Sequence, residues 1–261
     1  MLMKKSDSSK KKTKRGLFSK IFSIVFCLVS FGLMLTMADL FSSLITVGGF
    51  SFVSDNISFA EYKVFAVSTS DHTEKLLASE FCETIKQQGG AGYLYMSKDS
   101  YSIIAGIYQT EADAKKVLSN IIEKNPEAKV ITITIPQIII SSNLSTQEKN
   151  TLSGCLNVFK TAYKKLYDIS VSLDTAVINE VNARLDVNEL CSSVQTTLSN
   201  FNTIFTTDTT TGLLRIKLAL EDCLKYLRDL SDSNLSYPYS SLVKECYCKI
   251  IMCYKTMAEQ V

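Results

Sequence analysis

Between residues 61 and 136 the spacing of apolar residues changes several times, and these changes constrain the fold more than any other feature. The runs "EYKVFAVSTS" and "YSIIAGIY" are short and rich in strand-forming residues, apolar residues recur every three or four positions after the first run, and they alternate in "AKVITITIP". Alternation is typical of a half-buried strand, and the longer spacing is typical of an amphipathic helix. The predicted order is β-α-β-β-α-β, a ferredoxin-like domain with both helices on one face of the sheet.

Capping and stop signals set the expected ends of the two helices in this segment. Asp71 with Glu74 three residues on matches a capping box, and Gly89 and Gly90 can end the first helix. Thr110 is the expected cap of the second helix. Along the first helix, Leu76, Leu77, Phe81 and Ile85 recur at helical spacing.

Residues 145–261 show helical spacing almost throughout, with Ser145 or Thr146 as the expected first cap. A small antiparallel bundle of four or five helices is predicted, because apolar residues step by three or four along one side of each stretch. After the first helix, the predicted helices cover about 174–184, 187–205, 213–230 and 238–259.

The N-terminal region combines a basic run with an uncharged segment. Eight basic residues and one acidic residue precede an 18-residue uncharged stretch at 21–38, about the minimum for crossing a bilayer core of ~30 Å. We therefore expect a cytoplasmic tail at 1–20, a transmembrane helix at 21–38 and a linker at 39–60, which predicts a single-pass plasma-membrane protein with its later domains outside. The alternative is a signal peptide cleaved near Ala38 and a secreted chain.

Several classes of function find no support in the composition. The net charge of +2 gives no reason to expect nucleic-acid binding. His72 is the only histidine, and neither a CxxC pair nor a nucleophile with its base stands out. We expect a non-enzymatic protein with no catalytic residue, metal site or cofactor. The eight cysteines are expected to be buried thiols, although an oxidising exterior would allow disulfides.

Three stretches carry a family resemblance: "VFAVS", "QQGGAGYLY" and "YSIIAGIYQTEADAKKV". With them, the segment from about Tyr62 to Thr134 resembles the SPOR domain family of bacterial envelope proteins. The resemblance implies binding of peptidoglycan, chiefly of glycan strands stripped of their stem peptides, at septa formed in cell division or sporulation. The glycan would lie on the open face of the sheet, through aromatic stacking and hydrogen bonds to sugar hydroxyls. Further expected partners are the lipid bilayer and other envelope or septal proteins.

The resemblance also implies where glycan would bind. Ala66 and Ser68 occupy positions where the family commonly has glutamine and glycine, and Ser102 occupies the position of an arginine. The candidate glycan-binding residues are Tyr62, Ala66, Ser68, Tyr93, Tyr95, Tyr101 and Ser102.

Strand alternation predicts an apolar open face. If Ser102 points to that face, Ile104, Val64 and Ala66 share it, whereas Tyr101 points to the helices. A contiguous apolar patch indicates a covering partner, so we expect the helical bundle or another protein to cover part of it. The alternative function is therefore an envelope scaffold or adaptor, whose SPOR-like fold and bundle mediate protein–protein contacts without binding glycan.

Overall fold

Six strands and six helices follow one another in the described part of the chain, residues 56–97, 99–123, 125–141, 144–206, 210–233 and 236–261 of a computed structural model. The strands are β1 Asn56–Phe59, β2 Tyr62–His72, β3 Tyr93–Met96, β4 Tyr101–Tyr108, β5 Lys129–Ile135 and β6 Ile138–Ser141. The helices are α1 Lys75–Gln87, α2 Glu111–Ile121, α3 Thr146–Asp174, α4 Glu180–Ile204, α5 Thr211–Ser231 and α6 Tyr239–Ala258.

The main sheet has four antiparallel strands in the order β3-β4-β2-β5. The elements from β2 to β5 follow the predicted order β-α-β-β-α-β. Helices α1 and α2 pack against the sheet through small residues, among them Ala78, Cys82 and Ala114. We call this side of the sheet the helix side, and the opposite side the bundle side.

The first helix begins later than predicted, because β2 is longer. Asp71 was the expected cap, but it pairs with Ser102 of β4, and His72 pairs with Tyr101. Asp71 and His72 are therefore the last residues of a strand, although their local sequence favours the start of a helix. The helix begins at Lys75, and Glu74 precedes it without a side-chain capping bond.

The buried side of α1 is not the one that carries most of its large apolar residues. Leu76, Leu77 and Phe81 are exposed, and Leu76 keeps 76% of its surface accessible. Ala78 and Cys82 are the buried residues of this helix. Small side chains allow the helix backbone to approach the strands closely, which larger leucines would prevent.

Two other helix starts are capped where the sequence predicts. The hydroxyl of Thr110 accepts a hydrogen bond from the backbone N–H of Asp113 at 3.1 Å. At the start of α3, Ser145 and Glu148 form a full capping box, each side chain accepting from the other residue's backbone N–H. Such caps contribute about 0.5–2 kcal/mol each.

The C-terminal helices α3 to α6 pack as a bundle in which each helix contacts its neighbours and α6 contacts α3. The helix predicted at 174–184 is not formed as such, because α3 continues to Asp174 and a short turn separates it from α4. Ala176 in this turn has a positive φ of 54°, a conformation that ends a helix. Asn179 then caps α4 by accepting from the backbone N–H of Asn182 at 2.9 Å.

The strands β1 and β6 form a separate two-stranded antiparallel ladder that was not predicted from the sequence. Ile57 pairs with Ile140, and Phe59 pairs with Ile138. Strand β1 lies within the stretch predicted as linker, 39–60, and the remainder of that stretch lies outside the described residues. Ile57 and Ile138 are buried in the main core, so this ladder is part of the folded unit.

The bundle side of the sheet and the helical bundle share one apolar core. Val64, Ala66 and Ile104 of the sheet belong to the same buried cluster as Leu166 of α3 and Ile250 of α6. Helix α6 contacts β3, β4 and β5 directly. The α/β part and the helical part are thus joined by hydrophobic burial, which is the main favourable contribution to folding.

The predicted fold class is wrong in including a transmembrane helix. Within the described ranges, no helix is both long enough and apolar enough to cross a membrane. The physical reason is that the long helices are amphipathic, and even α6 carries Lys244, Glu245, Lys249 and Lys255. The stretch assigned to that helix, 21–38, and the basic tail before it lie outside the described residues. The described fold is a mixed α/β region followed by a helical part.

Candidate functional site

The bundle side of the sheet is covered by aromatic side chains from α3 and α6. Tyr62 of β2 stacks on Tyr163 of α3, with ring centroids 5.7 Å apart, and on Tyr254 of α6 at 6.2 Å. Tyr254 in turn packs on Phe159 at 5.4 Å. Because aromatic pairs at these distances add about 0.5–1.5 kcal/mol beyond area burial, the contact holds the two layers firmly together.

The aromatic contacts continue along the interface. Tyr163 lies 6.3 Å from Tyr247 of α6, and Tyr247 lies 5.9 Å from Tyr167 of α3. Tyr167 meets Tyr108 of β4 edge-on at 6.5 Å. We call this set the tyrosine row, and its members are Tyr62, Tyr108, Tyr163, Tyr167, Tyr247 and Tyr254.

Most of the tyrosine row packs in or against the apolar core that the sheet shares with the bundle. Burial raises the pKa of Tyr62 and of Tyr247 far above the ordinary value of 10.0, so both hydroxyls stay neutral. The buried hydroxyl of Tyr247 has no hydrogen-bond partner among the described residues. An interface of this kind excludes a polar ligand such as a sugar unless the bundle moves away.

Three of the candidate glycan-binding residues are buried in the folded chain. Ala66 and Ser68 have no accessible surface, and Ser102 keeps 3%. Tyr62 is half-buried within the tyrosine row. In the folded chain Ala66, Ser68 and Ser102 offer almost no free surface to a glycan strand, and Tyr62 is partly covered.

Ser102 takes part in a polar cluster at the end of β2. Its hydroxyl donates to Oδ1 of Asp71 at 2.6 Å, and Nζ of Lys129 pairs with Oδ2 of the same carboxylate. Burial alone would raise the pKa of Asp71, but the hydrogen bonds from Lys129 and Ser102 outweigh it and lower that pKa. Ser102 is therefore satisfied by residues of the same sheet.

The other candidate residues lie apart from this covered region. Tyr101 pairs with His72, and because His72 stacks on Phe81 of α1 at 4.8 Å, Tyr101 lies on the helix side. Tyr93 and Tyr95 are half-buried on β3, next to the core. The structure thus distributes the seven candidates over the covered face, the helix side and the outer strand of the sheet.

Tyr93 lines a groove of about 400 Å³ between the sheet and helices α5 and α6. Its other lining side chains include Leu218 and Tyr226 of α5 and Met252 of α6. Among the seven candidates, Tyr93 is the one that borders this groove.

Polar contacts also tie the bundle to the end of α1. The Nζ atom of Lys86 lies 3.1 Å from a carboxylate oxygen of Glu245. Ser241 donates to the carbonyl of Lys86 at 2.9 Å, and Lys244 donates to the carbonyl of Gly89 at 2.7 Å. Helix α6 therefore provides donors for carbonyls at the end of α1, where intrahelical partners run out.

The cysteines within the described ranges are free thiols. Burial raises the pKa of Cys155 to about 12, and it also raises the pKa of Cys223, so neither is a ready nucleophile. Across the described part of the chain, no three His, Cys, Asp or Glu side chains are grouped to hold a metal ion. Cys27 lies outside the described residues.

Comparison with known protein families, curated proteins and solved structures found no match.

Proposed function

We propose that this protein is a non-enzymatic scaffold or adaptor, in which the SPOR-like sheet and the helical bundle together mediate contacts with other proteins. The observation that carries the proposal is the covered face of the sheet. The tyrosine row packs on the side of the sheet on which a glycan strand would stack, and Ala66, Ser68 and Ser102 are buried. A bound sugar would have to displace aromatic contacts and much apolar burial.

Binding of peptidoglycan glycan strands, the function implied by the family resemblance, is the second candidate. Two observations favour it: the βαββαβ order of the sheet region, and the half-buried but partly accessible Tyr93 and Tyr95 on its outer strand. Tyrosine rings with one accessible face can stack on sugars. The groove beside Tyr93 also has a volume of about 400 Å³, which is enough to hold a small ligand.

Sedimentation with purified peptidoglycan sacculi separates the two functions. The scaffold proposal predicts that the full chain stays in the supernatant, as does an unrelated protein of similar size. Glycan binding predicts sedimentation, with loss of it when Tyr93 and Tyr95 are both replaced by alanine. The matched control is Tyr101→Ala, because Tyr101 lies on the helix side. Sedimentation that the double variant abolishes and the control retains would overturn the scaffold proposal.

A further inference from the structure

Strand β3 is an outer strand of the main sheet, and it pairs on one side only among the described strands. Its four residues pair with β4, from Tyr93 opposite Ile104 to Met96 opposite Tyr101. Alternate residues of a strand direct their N–H and C=O groups to opposite sides. The outward side of β3 therefore presents unpaired backbone groups that another extended chain can bind.

Apart from its short length of four residues, this edge lacks the usual features that prevent a second strand from pairing. Residues 89–97 contain neither charge nor proline, and Met96 keeps 71% of its surface accessible. Natural proteins usually protect exposed edges with lysine, proline or a bulge. The opposite edge strand, β5, has such protection, because it begins with Lys129 and is followed directly by Pro136.

The groove lined by Tyr93 adjoins the same strand on the bundle side. Its wall contains the rings of Tyr93 and Tyr226 with Leu218, which is 42% exposed. If a strand were added beside β3, every second side chain would point to the bundle side, toward this groove. Backbone pairing and a side-chain pocket are thus combined at one edge, as in known modes of peptide recognition.

The rim of the groove indicates the charge of the occupant. Arg215 is exposed and makes no hydrogen bond or ion pair with any described residue. Lys249 lies 2.9 Å from Glu245 and 5.9 Å from the ring centroid of Tyr226, and Asp222 is the one acidic residue lining the groove. Because Lys249 is already paired with Glu245, Arg215 is the lining cation that lacks a partner among the described residues, and it favours an acidic residue on the partner protein.

We infer that an extended peptide segment of a partner protein adds to the free edge of β3. It places apolar side chains in the groove and an acidic side chain beside Arg215. This inference rests on the proposed scaffold function and names its contact surface. A second copy of the chain fits less well, because a paired β3 from that copy contributes Tyr93–Met96 and no acidic side chain.

The test selects random peptides of about 12 residues, displayed on phage, on the full chain, and measures the affinity of the enriched sequences as synthetic peptides. We expect enriched peptides with alternating apolar residues and at least one Asp or Glu. Met96→Lys should weaken their binding about tenfold or more, because it protects the edge by charge. Val177→Lys is the matched control, since Val177 is 75% exposed and lies outside the sheet, and it should leave affinity unchanged.

Two further readouts identify the mode of binding. Arg215→Glu should also weaken binding about tenfold, and the loss of affinity should be larger for peptides with two acidic residues than for peptides with one. Backbone N-methylation, one peptide position at a time, should abolish binding at alternate positions, because alternate N–H groups face β3. Circular dichroism of each protein variant checks that the fold is intact.

The inference is overturned if no peptide family is enriched, if Met96→Lys binds as well as the wild type, or if sensitivity to N-methylation does not alternate. It is also overturned if the chain forms a dimer that Met96→Lys dissociates, because β3 would then bind a second copy. Sedimentation with sacculi distinguishes this failure from failure of the scaffold proposal. A chain that stays in the supernatant but binds no peptide keeps the scaffold function and loses this surface.

Discussion

The hydroxyl of Tyr247 is buried between the sheet and the bundle without a hydrogen-bond partner among the described residues. An unsatisfied buried polar group costs about 1–3 kcal/mol, whereas the ring packs well against Tyr163 and Tyr167. We therefore expect Tyr247→Phe to raise the free energy of unfolding by about 1 kcal/mol in urea denaturation. Tyr247→Ala should lower it by about 3–5 kcal/mol, since it leaves a cavity. A Phe variant less stable than the wild type would contradict this assignment.

Asp71 gives a pH dependence with a defined sign. Its pKa in the folded chain is lowered below the ordinary 3.8, because the hydrogen bonds from Lys129 and Ser102 outweigh the effect of burial. The stability that this carboxylate contributes is fully present above the ordinary pKa and is lost as the pH falls through the folded pKa.

Urea denaturation at several pH values measures this contribution. We expect Asp71→Asn to be less stable than the wild type at pH 6–7, and the difference should shrink as the pH falls below about 4. The control is Glu80→Gln on the exposed surface of α1. A stability difference that is the same at pH 7 and pH 3 would show that the Asp71 carboxylate is not responsible.

At the scale of single elements, helix α1 shows that apolar spacing does not always identify the buried side. Leu76→Lys should change the free energy of unfolding by less than about 0.5 kcal/mol, because Leu76 is exposed. Ala78→Lys should lower it by several kcal/mol, because Ala78 has no accessible surface and faces the sheet. Thermal denaturation of the two variants shows which side of the helix is buried. A loss of several kcal/mol for Leu76→Lys with little change for Ala78→Lys would instead place Leu76 on the buried side.

Elements defined by local signals were predictable from the sequence, and those defined by distant contacts were not. The caps at Thr110 and Ser145 depend on residues three positions away, and both form as expected. The β1–β6 ladder joins residues about eighty positions apart, so no local pattern identifies it. Asp71 shows both effects. Its local sequence favours a helix cap, but it is held in the strand by pairing with Ser102 of β4.

At the scale of the whole molecule, alternation along β2 and β4 correctly placed Val64, Ala66 and Ile104 on one apolar face. It therefore predicted that something covers this face. The identity of the cover depends on how Tyr163, Tyr247 and Tyr254 project from helices that follow the sheet region in the chain. Those tyrosines stand on the apolar sides of their helices and look like ordinary core residues in the sequence.

The central claim is that the bundle covers the sheet and that the two share one core. Native-state hydrogen exchange of the full chain tests it most directly, because it reports the opening free energy of β2, β4, α3 and α6 separately. We predict that Tyr62→Ala lowers the opening free energy of all four elements by the same amount, about 2–4 kcal/mol, whereas Leu76→Lys lowers none. Loss of protection in β2 and β4 with unchanged protection in α3 and α6 would contradict the shared core and leave the sheet face free for a glycan.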